Sequence, residues 1–454
     1  MQDLFHSQRQ FFLTGATREI RFRREALRTL RRALREFEPR LKEALLADLG
    51  KCATESYMSE IGMTLSGLRD ALAHLRRWSR PRRVLTPLAQ FPSTARIIPE
   101  PYGVTLVMSP WNYPVLLSLD PLVASIAAGN CCILKPSELA PHVAAVLDDM
   151  LSSSFPRDFV AVVQGDAEVC RRLLAQHVDY IFFTGSPSVG KEVMQAASRH
   201  LTPVTLELGG KSPCIVEESA NIRLAARRIA FGKVLNAGQT CVAPDYVLIH
   251  RSRREEFIDA FRQAVQDMLG EHPLQNAAYT RIVNRRHFER LMGLMAGARA
   301  SVGGRGDEES LRIEPTLLED ITSDSPCMQQ EIFGPLLPVL SYEDREEAER
   351  FILSRPRPLA CYLFTSDRES EKRLLSTLSF GGGCINDTII HLAVPGLPFG
   401  GVGNSGMGAY HGETGFRTFT HEKSVLRKAT WLDLPFRYQP FSTFKDTVLR
   451  LFLR

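Results

Sequence analysis

The sequence has no C-x-x-C pair and no H-E-x-x-H, and its nine cysteines are an odd, scattered set in which only Cys131 and Cys132 are close together. These absences exclude a disulfide framework and a structural zinc site, and they fit a reduced, cytoplasmic setting. No apolar run reaches the roughly 18 residues that a membrane span requires. The early Phe11-Phe12-Leu13 is too short for a signal peptide, and basic residues follow it. Charge of one sign is also scarce. A net +5 spread over 454 residues is too little for the concentrated basic face that nucleic acid demands. What remains is 44% hydrophobic and 24% charged, apolar from end to end, which excludes disorder. The length suits two to four domains at roughly 100–200 residues each.

From about Arg18 to Leu49 apolar residues recur at helical spacing (Ile20, Leu27, Leu30, Leu34, Phe37, Leu41, Leu45), with arginines on the opposite, solvated face. A second helix is expected from Thr54 to Trp78. Between Ser79 and Pro101 the prolines at 81, 87, 92, 99 and 101 exclude any long helix. From Gly103 short β-branched runs follow one another at Val104–Met108, Cys131–Leu134, Phe159–Val163, Tyr180–Phe183 and Val204–Leu206, separated by intervals that suit helices. That alternation predicts βαβ units and a parallel sheet, an α/β fold whose ligands sit beyond the carboxyl ends of the strands. A second α/β stretch starts near Lys211, with strands at Cys214–Val216, Tyr246–Ile249 and Leu336–Leu340. Gly293 to Arg312 reads as surface loops, Pro395 to Gly415 as glycine-rich connectors or an arm, and the segment from Trp431 as a packing tail, with membrane-surface contact as the lesser alternative.

Three strand ends carry polar text. Gly185-Ser186-Pro187-Ser188-Val189-Gly190 opens a helix candidate, and its N–H groups suit a phosphate, although a plain strand-to-helix turn is equally consistent with these residues. Lys135 and Glu138 suit ribose hydroxyls or simply pair with each other. For a nucleophile the choice lies between Cys241, in the polar turn Asn236-Ala237-Gly238-Gln239-Thr240-Cys241, and Cys384, which follows three glycines; Cys131, Cys132, Cys214 and Cys361 lie in apolar runs as inert core thiols. A thiol of pKa about 8.5 needs a base. Glu207, framed by Leu206 and Leu208, is the carboxylate that burial would tune for that work; the alternative is a solvated glutamate at a strand edge.

Taken together, Pro110-Trp111-Asn112-Tyr113-Pro114, Lys135-Pro136-Ser137-Glu138, Phe183-Thr184-Gly185-Ser186, Leu206-Glu207-Leu208-Gly209-Gly210-Lys211-Ser212-Pro213, Gln239-Thr240-Cys241-Val242-Ala243-Pro244-Asp245-Tyr246, Glu331-Ile332-Phe333-Gly334-Pro335 and Pro398-Phe399-Gly400-Gly401-Val402-Gly403-Asn404-Ser405-Gly406 stand in the order found in one family. The chain resembles the aldehyde dehydrogenase superfamily, most closely its class 3 branch, from roughly Asp48 to Lys423. The resemblance implies Cys241 as the nucleophile that forms a thiohemiacetal and then a thioester, Asn112 as the side-chain half of the oxyanion hole, and Glu207 as the base for hydrolysis. It implies a dinucleotide held by Trp111, Lys135, Glu138, Gly185, Ser186, Val189, Gly190, Glu331 and Phe333, with NAD favoured by Glu138 and NADP left open. No metal is required.

By the same resemblance the fold is a Rossmann-like cofactor domain (1–79 and 101–208), a catalytic domain (209–393) and a bridging arm (80–100 and 394–454) that makes a homodimer. The expected reaction is NAD(P)-dependent oxidation of medium- or long-chain aliphatic or aromatic aldehydes to carboxylic acids. Two departures stand out: Gln330 replaces the first of two frequent glutamates, and Pro187 enters the phosphate turn. The C-terminal Leu451-Phe452-Leu453-Arg454 lacks the apolar extension of membrane-bound class 3 forms, so a soluble protein is expected. His391 has two readings, a substrate contact and a packed histidine, and stays outside the catalytic set. Rival functions are a CoA-acylating member, which usually lacks the glutamate at 207, and a non-catalytic nucleotide-binding protein.

Overall fold

The computed structural model describes residues 1–453. The β-branched runs that follow Gly103 form one six-stranded sheet, ordered Gly406–Met407, Val204–Glu207, Tyr180–Thr184, Val104–Met108, Cys131–Lys135 and Val160–Val162. All neighbours are parallel except the short Gly406–Met407, which runs antiparallel to Val204–Glu207. Val104–Met108 and Cys131–Lys135 are buried along their whole length, as strands covered by helices on both faces must be. The first strand in sequence, Val104–Met108, pairs with the second on one side and the fourth on the other. The winding therefore reverses there, and the crevice beyond the carboxyl ends is where such folds bind ligands.

A second sheet has seven strands, in the order Arg299–Val302, Thr316–Glu319, Leu336–Tyr342, Tyr246–His250, Pro213–Val216, Ala360–Phe364 and Gly382–Ile385. Only Arg299–Val302 is antiparallel to its neighbour. A three-stranded antiparallel ribbon, Arg82–Val84 with Ser93–Pro101 and Thr420–Lys428, joins the proline-rich stretch to the C-terminal region.

Four expectations need correction. The stripe from Arg18 to Leu49 is two helices, Ile20–Glu36 and Glu38–Leu49, because Pro39 has no N–H to continue the first and is suited to start the second. The helix expected over Thr54 to Trp78 contains a π-helical turn at Tyr57–Ile61, which carries Glu60 into the interior. The region from Gly293 to Arg312 includes the edge strand Arg299–Val302 and the hairpin Gly306–Asp307 with Arg312–Ile313; their half-exposed polar residues give no strand periodicity. The tail does not pack: its helix, Thr443–Phe452, has no buried residue, and Trp431, Phe441 and Phe444 are exposed.

Buried Asn130 ties three elements together. Its Oδ1 accepts from Gly103 N–H at 2.9 Å, and its Nδ2 donates to Ser125 O at 3.3 Å and Phe419 O at 2.9 Å. Asn130→Ala leaves the buried Gly103 N–H and Phe419 O without this partner, so urea unfolding is expected to lose about 2–4 kcal/mol of stability.

Candidate active site

The two sheets meet through two loops. Asn112 and Tyr113 follow the strand Val104–Met108, and residues 236–241 follow the helix Ile222–Val234. Asn112 Nδ2 donates to Gln239 O at 3.0 Å, Asn236 Nδ2 donates to Asn112 O at 2.8 Å, and the Tyr113 hydroxyl lies 2.6 Å from Thr240 Oγ1. Beneath them, fully buried Lys51 pairs with Glu60 at 2.5 Å and also donates to Asn112 O at 3.3 Å. The remaining oxygen of Glu60 accepts from Val115 N–H at 2.8 Å. Every charged atom of this pair has a partner, which is the condition under which a buried ion pair is tolerated.

The second loop is held in a strained form. Asn236, Ala237 and Gly238 have φ of 52°, 50° and 69°, the left-handed region that costs side-chain-bearing residues of order 1–3 kcal/mol each. Gly238 is required, because a Cβ there would lie 2.3 Å from Gly334 O. Gln239 locks the turn by donating to Asn236 O and Arg281 O and accepting from Val283 N–H, each at 3.0 Å. The result is a thiol, Cys241, half-buried at the mouth of a cavity of about 240 Å³ whose walls are mostly apolar, among them Met58, Leu116, Leu117, Phe231, Ile389 and Phe399.

Burial pushes the Cys241 thiol up, and the negative charges of Glu331 and Glu207 add to this. The thiol is therefore protonated at rest and needs a base. Glu207 ends the strand Val204–Glu207. It is fully enclosed, and neither carboxylate oxygen has a hydrogen-bond partner. Burial alone holds its carboxyl well above the usual range. The solvated strand-edge alternative is thereby removed. Cys384, the rival nucleophile, lies elsewhere, 3.6 Å from His391 Nδ1, with its thiol raised by burial and the imidazole lowered to about 4. Burial therefore keeps both groups neutral.

The expected dinucleotide residues lie beyond the strand ends of the first sheet and across from them. Lys135 Nζ pairs with Glu138 at 2.7 Å, the lysine buried and the carboxylate exposed. Ser186 caps the helix Pro187–Ala197 by accepting from Val189 N–H, which uses up that donor and leaves Val189 its exposed side chain. Gly190 allows the helix to approach Leu208. Glu331 packs on Gly209, accepts from Gly210 N–H, and is raised to about 8 by burial, then by Asp245. Trp111 meets Phe333 edge to face at 5.4 Å. The chemistry of NAD(P) fits this set: Thr184 Oγ1 and both Glu207 oxygens are buried polar atoms without partners at neighbouring strand ends, beside a helix N-terminus suited to phosphate.

Sequence reasoning missed the supporting layer of Lys51, Glu60, Asn236 and Gln239. Their only sequence signal is polarity inside otherwise apolar or glycine-bearing text. Among the described residues no group of three or more His, Cys, Asp or Glu side chains is arranged to hold a metal.

Comparison with known proteins bears on the family and the fold. The model of the aldehyde dehydrogenase family matches residues 6–425. The chain is 48% identical to 4,4'-diaponeurosporen-aldehyde dehydrogenase of Staphylococcus aureus over 97% of this chain and 96% of that protein. It is 44% identical to aldehyde dehydrogenase family 3 member B1 of Bos taurus, over 96% and 94% of the two chains. A solved structure described as the substrate-bound state of Staphylococcus aureus AldH superposes with a TM-score of 0.98 at 47% identity, covering 100% of this chain and 99% of that one. The chain belongs to the aldehyde dehydrogenase family. It is an oxidoreductase that carries out NAD(P)-dependent oxidation of aldehydes, and the CoA-acylating and non-catalytic alternatives are not favoured.

The raised carboxyl of Glu207 has a consequence for stability. The folded protein holds this proton more tightly than the unfolded chain, whose carboxyl titrates near 4.5, so the charged form destabilises the fold increasingly as pH rises above that value. Glu207→Gln is expected to be more stable than the parent by about 2 kcal/mol at neutral pH, with the gap in melting temperature closing as pH falls toward 4.5. Calorimetric scans across pH check this.

Proposed function

We propose that Cys241 is the nucleophile, Asn112 and the Cys241 N–H the oxyanion hole, and Glu207 the base. The observation that carries the reading is the pairing of a half-buried thiol with a partnerless buried carboxylate whose charge is felt at the sulfur. Cys241 loses its proton to a base and its sulfur bonds to the aldehyde carbon. The oxygen becomes an alkoxide that accepts from Asn112 Nδ2, whose one bond within the chain, to Gln239 O, leaves a hydrogen for this task. NAD(P), which the residues assigned below would hold, would supply the hydride acceptor for collapse of the alkoxide. Cys241 then carries a thioester. Glu207 takes a proton from water, the hydroxide attacks the acyl carbon, and the C–S bond breaks to give the acid and a free thiol.

Lys135 and Glu138 are assigned to the adenine ribose, Gly185 to Gly190 to the pyrophosphate, and Trp111, Glu331 and Phe333 to the nicotinamide end. The exposed Glu138 carboxylate supports a preference for NAD, since it repels a 2′-phosphate. Residues 1–79 with 101–208 form the coenzyme unit, 209–393 the catalytic unit, and 80–100 with 394–454 the bridge. A homodimer through that bridge is supported by the exposed face of Thr420–Lys428, which includes Val425 and Leu426. The mostly apolar cavity supports medium- or long-chain aliphatic or aromatic substrates. Nine unpaired cysteines, and no described helix long and apolar enough to cross a membrane, are consistent with a cytoplasmic setting.

Cys241→Ala is expected to abolish NADH formation from any aldehyde while circular dichroism is unchanged; retained turnover would move the nucleophile to another thiol. Glu207→Gln is expected to lower kcat by about 100-fold or more and to give a burst of one NADH per site, seen by stopped flow; a base elsewhere would leave no burst. Glu138→Gln is expected to raise kcat/KM with NADP relative to NAD by about tenfold, equivalent to ~1.4 kcal/mol; an unmoved ratio would remove Glu138 from coenzyme selection.

A further inference from the structure

The cavity beside Cys241 is mostly apolar with a few hydroxyls (Ser59, Ser66, Tyr113, Thr240), and Asp120 is the one carboxylate in its lining. Asp120 lies on the helix Leu116–Ala128, four residues beyond Leu116 and three beyond Leu117, so all three share the helix face that lines the cavity. Tyr113, which lines the same cavity, has its hydroxyl held next to the nucleophile loop. No group in the described residues hydrogen-bonds to the Asp120 carboxylate. The nearest cation-forming atom is His411 Nε2 at 3.6 Å.

The arrangement around this carboxylate is built. Gly67 makes room for it, since a Cβ there would lie 2.9 Å from Asp120 Oδ1. His411 is held in place by a left-handed backbone, φ 79°, with its ring stacked on Phe399 at 5.4 Å and against Tyr410 at 4.4 Å. Gly67, Asp120, Tyr410, His411 and Gly412 also line a narrow second cavity of about 20 Å³. Trp78, whose indole N–H has no partner, lies on its far side. The carboxylate thus sits where the wide cavity gives way to a narrow one.

We propose that Asp120, with His411, is the specificity-determining end of the substrate channel and selects aldehydes that carry a hydroxyl group at the end far from the carbonyl. This inference rests on the reading of Cys241 as nucleophile and of its cavity as the substrate channel. A hydroxyl both donates and accepts, which matches an acid beside an imidazole. Burial, with the charge of Asp70 adding to it, holds the Asp120 carboxyl up to about 7, while burial pushes the His411 imidazole down to about 4. Burial thus disfavours charge on both groups, and an uncharged polar group enters this apolar space at lower desolvation cost than an ammonium. A plain alkyl end leaves Asp120 and His411 facing methyl groups, which is the situation in which a polar site rejects a ligand most strongly.

The test is kcat/KM, with saturating NAD, for a homologous series of straight-chain aldehydes and their terminally hydroxylated counterparts. In the parent enzyme the hydroxylated-to-plain ratio is expected to pass through a maximum at one chain length. Asp120→Leu is expected to lower the ratio at that length by about tenfold or more, chiefly through KM, while Asp120→Asn, which still donates and accepts, retains most of it. Gly67→Ala, which drives a methyl toward Asp120 Oδ1, is expected to lower the ratio without altering the carboxylate, and so serves if the leucine variant does not fold. A ratio flat across all lengths in the parent, or equal in the parent and Asp120→Leu, overturns the assignment. Turnover of plain aldehydes by Cys241→Ala would instead overturn the underlying reading of the nucleophile, so the two failures are distinct.

Discussion

The structure depends on a clasp between two loops that belong to different sheets. Asn112 and Asn236 each use a side-chain amide to hold the other loop's backbone, and Lys51 with Glu60 supports the crossing from below. Without it, a turn containing Asn236 and Ala237 at positive φ would relax, and Cys241 with it. The arrangement has a direct mechanistic use. In the proposed mechanism the Asn112 amide that clamps the turn also carries the hydrogen assigned to the oxyanion, so one contact would fix both the proposed nucleophile and the group proposed to stabilise the charge it creates. Pre-positioning of this kind is worth several kcal/mol of barrier because nothing has to reorganise during reaction.

Glu207 is a different type of constraint. A carboxylate enclosed without a hydrogen bond is costly, and no partner for its oxygens compensates: leucines flank it in sequence, and its ties to Gly185 and to the strands of Thr184 and Gly406 are through the backbone. A purely structural role would favour glutamine or methionine there. The cost is intelligible if the carboxyl must hold a proton near the working pH and release it to chemistry, since a base of ordinary pKa is too weak to take a proton from water. Stability and activity therefore pull in opposite directions at this one position, as they commonly do at reactive sites.

Much of this was legible in the amino-acid sequence, for reasons that can be traced. Strands such as Val104–Met108 and Cys131–Lys135 are buried on both faces, so they read as unbroken β-branched runs. Cys241 stood out because its neighbours are polar and glycine-bearing while Cys131, Cys132, Cys214 and Cys361 sit in apolar text. The strands Ala360–Phe364 and Gly382–Ile385 were not read, the latter because its glycines argue against a strand and only pairing in the parallel sheet overrides them. The π-turn at Tyr57–Ile61 left no trace, since it is set by where Glu60 must point to meet Lys51. Nor was Asp120 legible: one acid in a leucine-rich helix looks like a solvent-facing residue until the Gly67 helix and the His411 loop are brought against it.

The cavity and the clasp impose different demands on the helix Leu116–Ala128, and its sequence reconciles them. Its start is anchored by Glu60, whose carboxylate accepts from Val115 and Leu116 N–H groups, so the first turn cannot shift without disturbing Asn112. In that same first turn, Leu116 and Leu117 give the proposed channel an apolar wall, which would hold a carbon chain without fixing its depth. Apolar contact is non-directional, so leucines alone would let an aldehyde slide past the sulfur. A single polar residue farther along the same face changes that, because a hydrogen bond has a preferred length and direction. With the nucleophile loop and Asp120 both referenced to one rigid helix, the distance between the reacting carbon and the far end of a substrate becomes a property of the protein.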